Sequence, residues 1–204
     1  MQLDVQALRL QLIVPARRDV FAAVEAAIAG GVTLVQLREK ALPDGEVYAV
    51  GKELCSLVHS CGALFCVNDR VDLALALDAD GAHVGQGDLP AEAARRILGP
   101  NRFLGLSCHD SAQTRAAREV DYLGFGPIFA TPSKDDAEAP TGVGQLRAAV
   151  SAASLPVVAI GGIGPVTAPN LVDSGIAGIA VISAILGAED PRAAATELRR
   201  AVGW

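Results

Sequence analysis

A (β/α)8 TIM barrel is the fold this sequence predicts, and three observations predict it. Short apolar or β-branched runs alternate with amphipathic, alanine-rich stretches, the order that builds βαβ units on a parallel sheet. Eight such units fit into 204 residues at about 25 residues each, room for a strand of ~5 residues, a helix of ~11 and two short loops. No G-x-G-x-x-G follows the first strand, which argues against a doubly wound dinucleotide-binding sheet. With domains averaging roughly 150 residues, a single domain over residues 1–204 is expected.

The first strand is read at Leu10–Val14. A helix over Val20–Ala29 follows, where Phe21, Val24 and Ile28 recur at the spacing of one helical face. Val32–Gln36 is the second strand, and Glu46–His59 the helix that returns the chain. The remaining strands are Leu64–Asn68, Ala82–Val84, Phe103–Leu106, Tyr122–Gly124, Val157–Ile160 and Gly178–Ile182. Further helical patterns stand out at Ala91–Leu98 and Ala193–Val202. Between the sixth strand and its helix, Ala130–Thr141 carries Pro132, Pro140 and Asp135-Asp136 with no apolar period, and reads as a mobile loop.

Composition narrows the function. Hydrophobic residues at 51% and charged residues at 20% exclude a disordered tail. Aromatics at 4% leave little with which to stack single-stranded bases. Lys plus Arg total 17 against 23 Asp plus Glu, a net charge of −6, which argues against nucleic acid or an anionic membrane as partner. A phosphorylated ligand therefore needs positive charge concentrated in one place. Cys55, Cys61, Cys66 and Cys108 form no C-x-x-C pair and fit free thiols in a reducing cytoplasm. The apolar stretch Ser174–Ala188 is shorter than the roughly 20 residues of a membrane span, and the start shows no signal-peptide pattern. A homo-oligomer is neither indicated nor excluded.

In a barrel the chemistry sits at the carboxyl ends of the strands. The second strand runs into Gln36-Leu37-Arg38-Glu39-Lys40, where Gln36, Arg38 and Lys40 alternate onto one side. Two cations there can converge on a polyanion, the Arg as a fork and the Lys as a point charge. The third strand ends Asn68-Asp69 and the fourth leads to Asp88, so two carboxylates come from neighbouring strand ends. They can share a proton or hold a cation such as Mg2+, and Asp69 can equally be an N-cap for the helix after Arg70. Gly161-Gly162 after the seventh strand and Ile182-Ser183 after the eighth let backbone N–H groups approach a phosphate, the usual place for one in this fold. Thr131, Pro132, Ser133 and Lys134 after the sixth strand supply two hydroxyls and a cation on a proline-punctuated loop. Of the histidines, His59 reads as a helix-face residue, His83 as a hydrogen-bonded core imidazole, and His109 as a candidate for the site.

Taken together the motifs resemble the thiamin phosphate synthase family. Q-L-R-E-K at 36–40, N-D at 68–69, H-V-G-Q-G-D at 83–88, G-L-S at 105–107, G-P-I-F-A-T-P-S-K at 126–134, I-G-G-I at 160–163 and I-S at 182–183 stand in family order across nearly the whole chain. The resemblance implies a TIM-barrel transferase. It would join a hydroxymethylpyrimidine diphosphate to a thiazole ethyl phosphate, releasing pyrophosphate and giving thiamin phosphate. It further implies that Gln36, Leu37, Arg38, Glu39, Lys40, Asn68, Ser107 and Lys134 serve the pyrimidine diphosphate. Asp69 and Asp88 would hold Mg2+. Thr131, Pro132, Ser133, Gly162, Ile182 and Ser183 would take up the thiazole phosphate. Arg38, Lys40, Ser107 and Lys134 are the residues expected to act in catalysis. Two positions depart from the pattern: Ser133 stands where a second Thr is common, and Arg70 stands where some members carry another acid. A sister group on the same barrel resembles this family but works as a metal-independent thiazole tautomerase through a His, and His109 keeps that alternative open. A non-catalytic phosphate-ligand sensor on a decayed barrel is the reading least consistent with intact motifs.

Overall fold

The computed structural model describes residues 3–131 and 139–204. Eight parallel strands close on themselves in sequence order: β1 Leu10–Val14, β2 Leu34–Leu37, β3 Leu64–Asn68, β4 Gly81–Val84, β5 Phe103–Cys108, β6 Tyr122–Phe125, β7 Val157–Ile160 and β8 Gly178–Val181. Closure is made by β8 on β1, where Leu10 pairs with Ile179 and Leu12 with Val181. Around them run α1 Phe21–Ala29, α2 Asp44–Ser60, α3 Val71–Ala76, α4 Ala91–Leu98, α5 Ser111–Ala116, α6 Gly142–Ala152, α7 Ser183–Leu186 and α8 Pro191–Ala201. After β7 the chain forms a 3-10 turn at Ala168–Leu171 in the place of a helix. The predicted barrel is the observed one.

The period of two along each strand sorts side chains between two cores. Leu10, Leu12, Val35, Phe65, Ala82, Leu104, Leu123, Ala159 and Ile179 pack outward beneath the helices. Ile13, Leu34, Cys66, Phe103, Tyr122, Val158 and Ala180 point inward, and Leu8 from a 3-10 turn at Val5–Leu8 joins them. Leu8, Leu10, Leu12, Leu34, Phe65 and Phe103 are fully buried. At about 25 cal/mol per Å2, this apolar burial is the main term holding the barrel closed.

Element ends differ from the predicted ones for local reasons. β2 starts at Leu34 because the Val32 N–H is still bonded to Ala27 O, closing the end of α1. β5 continues to Cys108, so Ser107 lies within the strand and faces the barrel axis with Phe103 and Gly105. α8 begins at Pro191, with Asp190 accepting the Ala193 N–H as its cap and Pro at the first position, where no donor is needed. All four cysteines are free, and burial pushes the Cys55 and Cys108 thiols up to about 11, so they are inert packing groups.

One brace on the outside of the barrel lends itself to a test. The half-buried Arg95 donates to Gly99 O, Arg102 O and Glu119 O, and its guanidinium sits 2.6 Å from an Asp121 carboxylate oxygen. That same oxygen accepts the Leu104 N–H at 2.7 Å, tying α4 to the entry of β5. Arg95→Ala strands a carboxylate and three carbonyls, an expected loss on the order of 2 kcal/mol. Thermal melts should show a midpoint lower by about 4–8 °C, and an unchanged midpoint would mean the brace is dispensable.

Candidate active site

A cavity of about 590 Å3 opens at the carboxyl ends of the strands. Arg38, Lys40, Asn68, Asp69, Asp88 and Ser107 line it from β2 to β5, and Gly162, Ile182 and Ser183 from β7 and β8. In an eight-stranded ring the β3 end faces the β7 end, so the cations and carboxylates stand across from the glycine-lined wall. Thr131 lines the mouth between them.

Asp69 is not the N-cap of α3; that position is held by Arg70, without a side-chain cap. Its backbone is in the left-handed region at φ 63, and its N–H is bonded to His83 O at 2.7 Å. This turn sends the carboxyl into the cavity against Asp88, with which it shares a hydrogen bond. Burial, reinforced by Asp88 beside it, pushes Asp69 up to about 6, against the pull of Lys40 and Arg38. The Lys40 ammonium is 3.9 Å from the Asp69 carboxylate. Asp88 is fixed in turn by accepting the Gly85 N–H at 2.7 Å. Arg70 does not enter this cluster. Its guanidinium forks onto Asp44 at 2.6 and 3.0 Å and onto Asp72 at 2.9 and 2.7 Å, clamping the start of α2 to α3.

Three residues that the resemblance assigns to the substrate do not bring their side chains to the cavity. Gln36 is 3% exposed and buried inside the barrel below it, hydrogen-bonded to the Cys66 thiol. Leu37 points outward into the core under the helices. Glu39 folds back onto the chain, its carboxylate accepting N–H groups of Lys40 and Ala41 at 2.9 Å and of Ala16 at 3.3 Å. Burial raises the Glu39 carboxyl, and these N–H groups outweigh it and hold the group below its usual range. Glu39 thus fixes the turn that presents Arg38 and Lys40. Pro132, Ser133 and Lys134, with most of the predicted 130–141 loop, lie outside the described residues.

On the opposite wall Gly162 has φ 64, and a Cβ there would come within 2.6 Å of Ala130 O. Thr167, which sequence reasoning passed over, fastens this turn by donating to Gly162 O at 2.9 Å and accepting the Gly164 N–H at 2.9 Å. His109 lines the cavity and donates from Nδ1 to Gly126 O at 2.7 Å. His59, read from the sequence as a helix-face residue, lies in α2 and pairs with Asp80 at 2.8 Å.

Convergent cations, a carboxylate pair and glycine-lined backbone at the strand ends of a closed barrel define a barrel enzyme for anionic small molecules. Residues 10–185 match the thiamine monophosphate synthase family, and the chain belongs to that family. The thiamine-phosphate synthase of Moorella thermoacetica is 49% identical over 181 residues, covering 88% of this chain and 86% of that protein. That of Chloroflexus aurantiacus is 49% identical over 183 residues, 89% of this chain and 84% of its own. Among solved structures, the thiamine phosphate pyrophosphorylase of Pyrococcus furiosus superposes with a TM-score of 0.86 at 41% identity, covering 97% of this chain and 96% of that one. The 3-hexulose-6-phosphate synthase barrel, at 19% identity and a TM-score of 0.71, shares the fold.

Proposed function

We propose that this enzyme couples 4-amino-2-methyl-5-(diphosphooxymethyl)pyrimidine with 4-methyl-5-(2-phosphooxyethyl)thiazole, giving thiamin phosphate and pyrophosphate. The observation that carries the reading is the two-walled cavity, with Arg38, Lys40 and the Asp69–Asp88 pair on one side and the Gly162 and Ser183 turns on the other. A substrate with several negative charges suits the first wall, and a phosphate monoester suits the second. The relatives named above are synthases, which leaves the tautomerase reading without support.

The chain's own residues account for the chemistry. Cleaving the C–O bond leaves a pyrimidinylmethyl cation and a departing pyrophosphate. Arg38 and Lys40 meet that growing negative charge in place, and each 1.36 kcal/mol of such stabilisation is worth about tenfold in rate. The thiazole nitrogen attacks with its own lone pair and needs no base, which fits a site without a catalytic triad.

Asp69 and Asp88 fit Mg2+. Two carboxylates held close enough to share a proton, beside a site for phosphate oxygens, are the donor set this ion uses when water and substrate supply its other ligands. No group of three or more Asp, Glu, His or Cys side chains that could hold a metal ion occurs among the described residues. When bound there, Mg2+ would neutralise diphosphate oxygens and stabilise the leaving group. Small molecules are the partners this site serves. Among the described residues no helix is long and apolar enough to cross a membrane. Together with four free cysteines, that supports work in the cytoplasm.

Incubation with both substrates and Mg2+ should yield thiamin phosphate and pyrophosphate by chromatography, and absence of both products would overturn the reading. His109→Asn should retain at least about a third of the coupling rate, since its ring holds Gly126 O and the attack needs no imidazole. Complete loss of coupling in a folded variant would assign His109 a proton-transfer role.

A further inference from the structure

A polar layer crosses the barrel interior just below the cavity. His83 projects inward from β4, with Nδ1 2.8 Å from the Tyr122 hydroxyl and Nε2 2.9 Å from Ser107 Oγ. Neighbouring strands leave room for these rings. A Cβ at Gly105 would lie 2.4 Å from both His83 Nδ1 and Tyr122 Cζ, and one at Gly124 would lie 3.0 Å from His83 Cε1. His83 is 8% exposed and Tyr122 is fully buried. The upper end of the layer, Ser107, lines the cavity.

The lower end sets the direction of the chain. A neutral imidazole has one N–H and one lone pair, and its partners decide which nitrogen carries the proton. The Gln11 amide lies against the Tyr122 oxygen in the sense of a donor, and its buried nitrogen makes no hydrogen bond of good geometry to any described residue. The phenol oxygen is therefore the group that faces a donor from below. Burial keeps the phenol protonated, and with Gln11 taken as the donor to its oxygen, we assign the phenol's own proton to His83 Nδ1, 2.8 Å away. On that assignment His83 carries its proton on Nε2 and donates it to Ser107 Oγ at 2.9 Å. With that lone pair engaged, the Ser107 O–H turns toward the cavity.

We propose that Tyr122 and His83 are positioning residues that fix Ser107 as a hydrogen-bond donor to the pyrimidine diphosphate, a role that rests on the coupling reaction proposed above. An unpositioned serine hydroxyl rotates among its wells and must be ordered at each turnover. A layer that fixes its rotor in advance removes that cost and favours an acceptor on the substrate over a donor.

The wild-type protein gives the first readout. In 15N NMR of histidine-labelled enzyme, Tyr122→Phe should shift one of the three histidine signals, and in the wild type that signal should come from a neutral ring protonated on Nε2 and bare on Nδ1. Kinetics give the second. His83→Met should lower kcat about tenfold with KM for the diphosphate changed less than about threefold, and His83→Gln, which retains a side-chain N–H, should recover most of the loss. In a Ser107→Ala background His83→Met should cost less than about twofold more, because the relay has lost its object. A His83 signal protonated on Nδ1, or costs that multiply in the double variant, would overturn the proposal. Wild-type enzyme that forms no thiamin phosphate would instead overturn the coupling reading and with it the choice of acceptor, while the NMR tautomer would still decide the arrangement of the layer.

Discussion

Asp88→Asn is expected to keep the fold and lose at least about tenfold in kcat/KM, roughly 1.4 kcal/mol of transition-state stabilisation. The amide nearly preserves volume, and its carbonyl oxygen can still accept the Gly85 N–H that Asp88 accepts at 2.7 Å. What disappears is the second charge facing Asp69. A diphosphate entering beside two bare carboxylates would be repelled by several kcal/mol at an effective dielectric near 20. EDTA should therefore abolish turnover and Mg2+ restore it. The metal-free protein offers a second check. Asp69 in the fold is raised above its ordinary 3.8 to about 6, so the unfolded chain releases that proton first. Stability should fall as pH rises across that interval, and added Mg2+ should return it at pH 7. Full activity in EDTA, with no divalent ion found by elemental analysis, would remove the metal from the reaction.

How much of this was legible in the sequence follows from what periodicity encodes. Alternation gives the face of a strand, so the inward turn of Arg38 and the convergence of Asp69 with Asp88 could be read from spacing. The length of each barrel unit likewise gave the strand count. Spacing does not say what an inward polar group meets. Gln36 points the same way as Arg38 but lies one layer deeper, against Cys66. Glu39 sits in a turn whose N–H groups capture its carboxylate, a pairing set by backbone direction. Asp69 is ambiguous in the sequence because a cap and a ligand can occupy the same place before a helix; its left-handed backbone and Arg70 at the N-cap position exclude the cap. His83 could be placed in the core, but its partners Ser107 and Tyr122 lie 24 and 39 residues away in the chain. The signal that was available is glycine inside strands: Gly105 and Gly124 mark where two strands make room for a neighbour's rings. The 3-10 turn at Ala168–Leu171 follows Pro165 and contains Pro169, which restricts a regular helix there.

Gly162→Val is expected to have the other large effect, and for two separable reasons. At φ 64 a β-branched residue sits in a strained backbone region, which costs on the order of 1–3 kcal/mol. Its Cβ would also press within 2.6 Å of Ala130 O and 2.7 Å of Phe129 Cβ, against backbone rather than a side chain that can swing aside. The Phe129–Ala130 segment must then move, and with it Thr131 at the cavity mouth. A stability loss of about 2–4 kcal/mol is expected in denaturant melts. Gly162→Ala should show the same direction with a smaller loss, since alanine lacks the branched methyl groups. If this wall receives the thiazole phosphate, the KM for the thiazole should rise at least about tenfold more than that for the diphosphate. Measuring both constants in the alanine variant, where the fold is better preserved, separates the site effect from global loss of structure. Equal rises in the two would mean that the glycine turn serves the whole cavity, and a rise in the diphosphate KM alone would exchange the two walls.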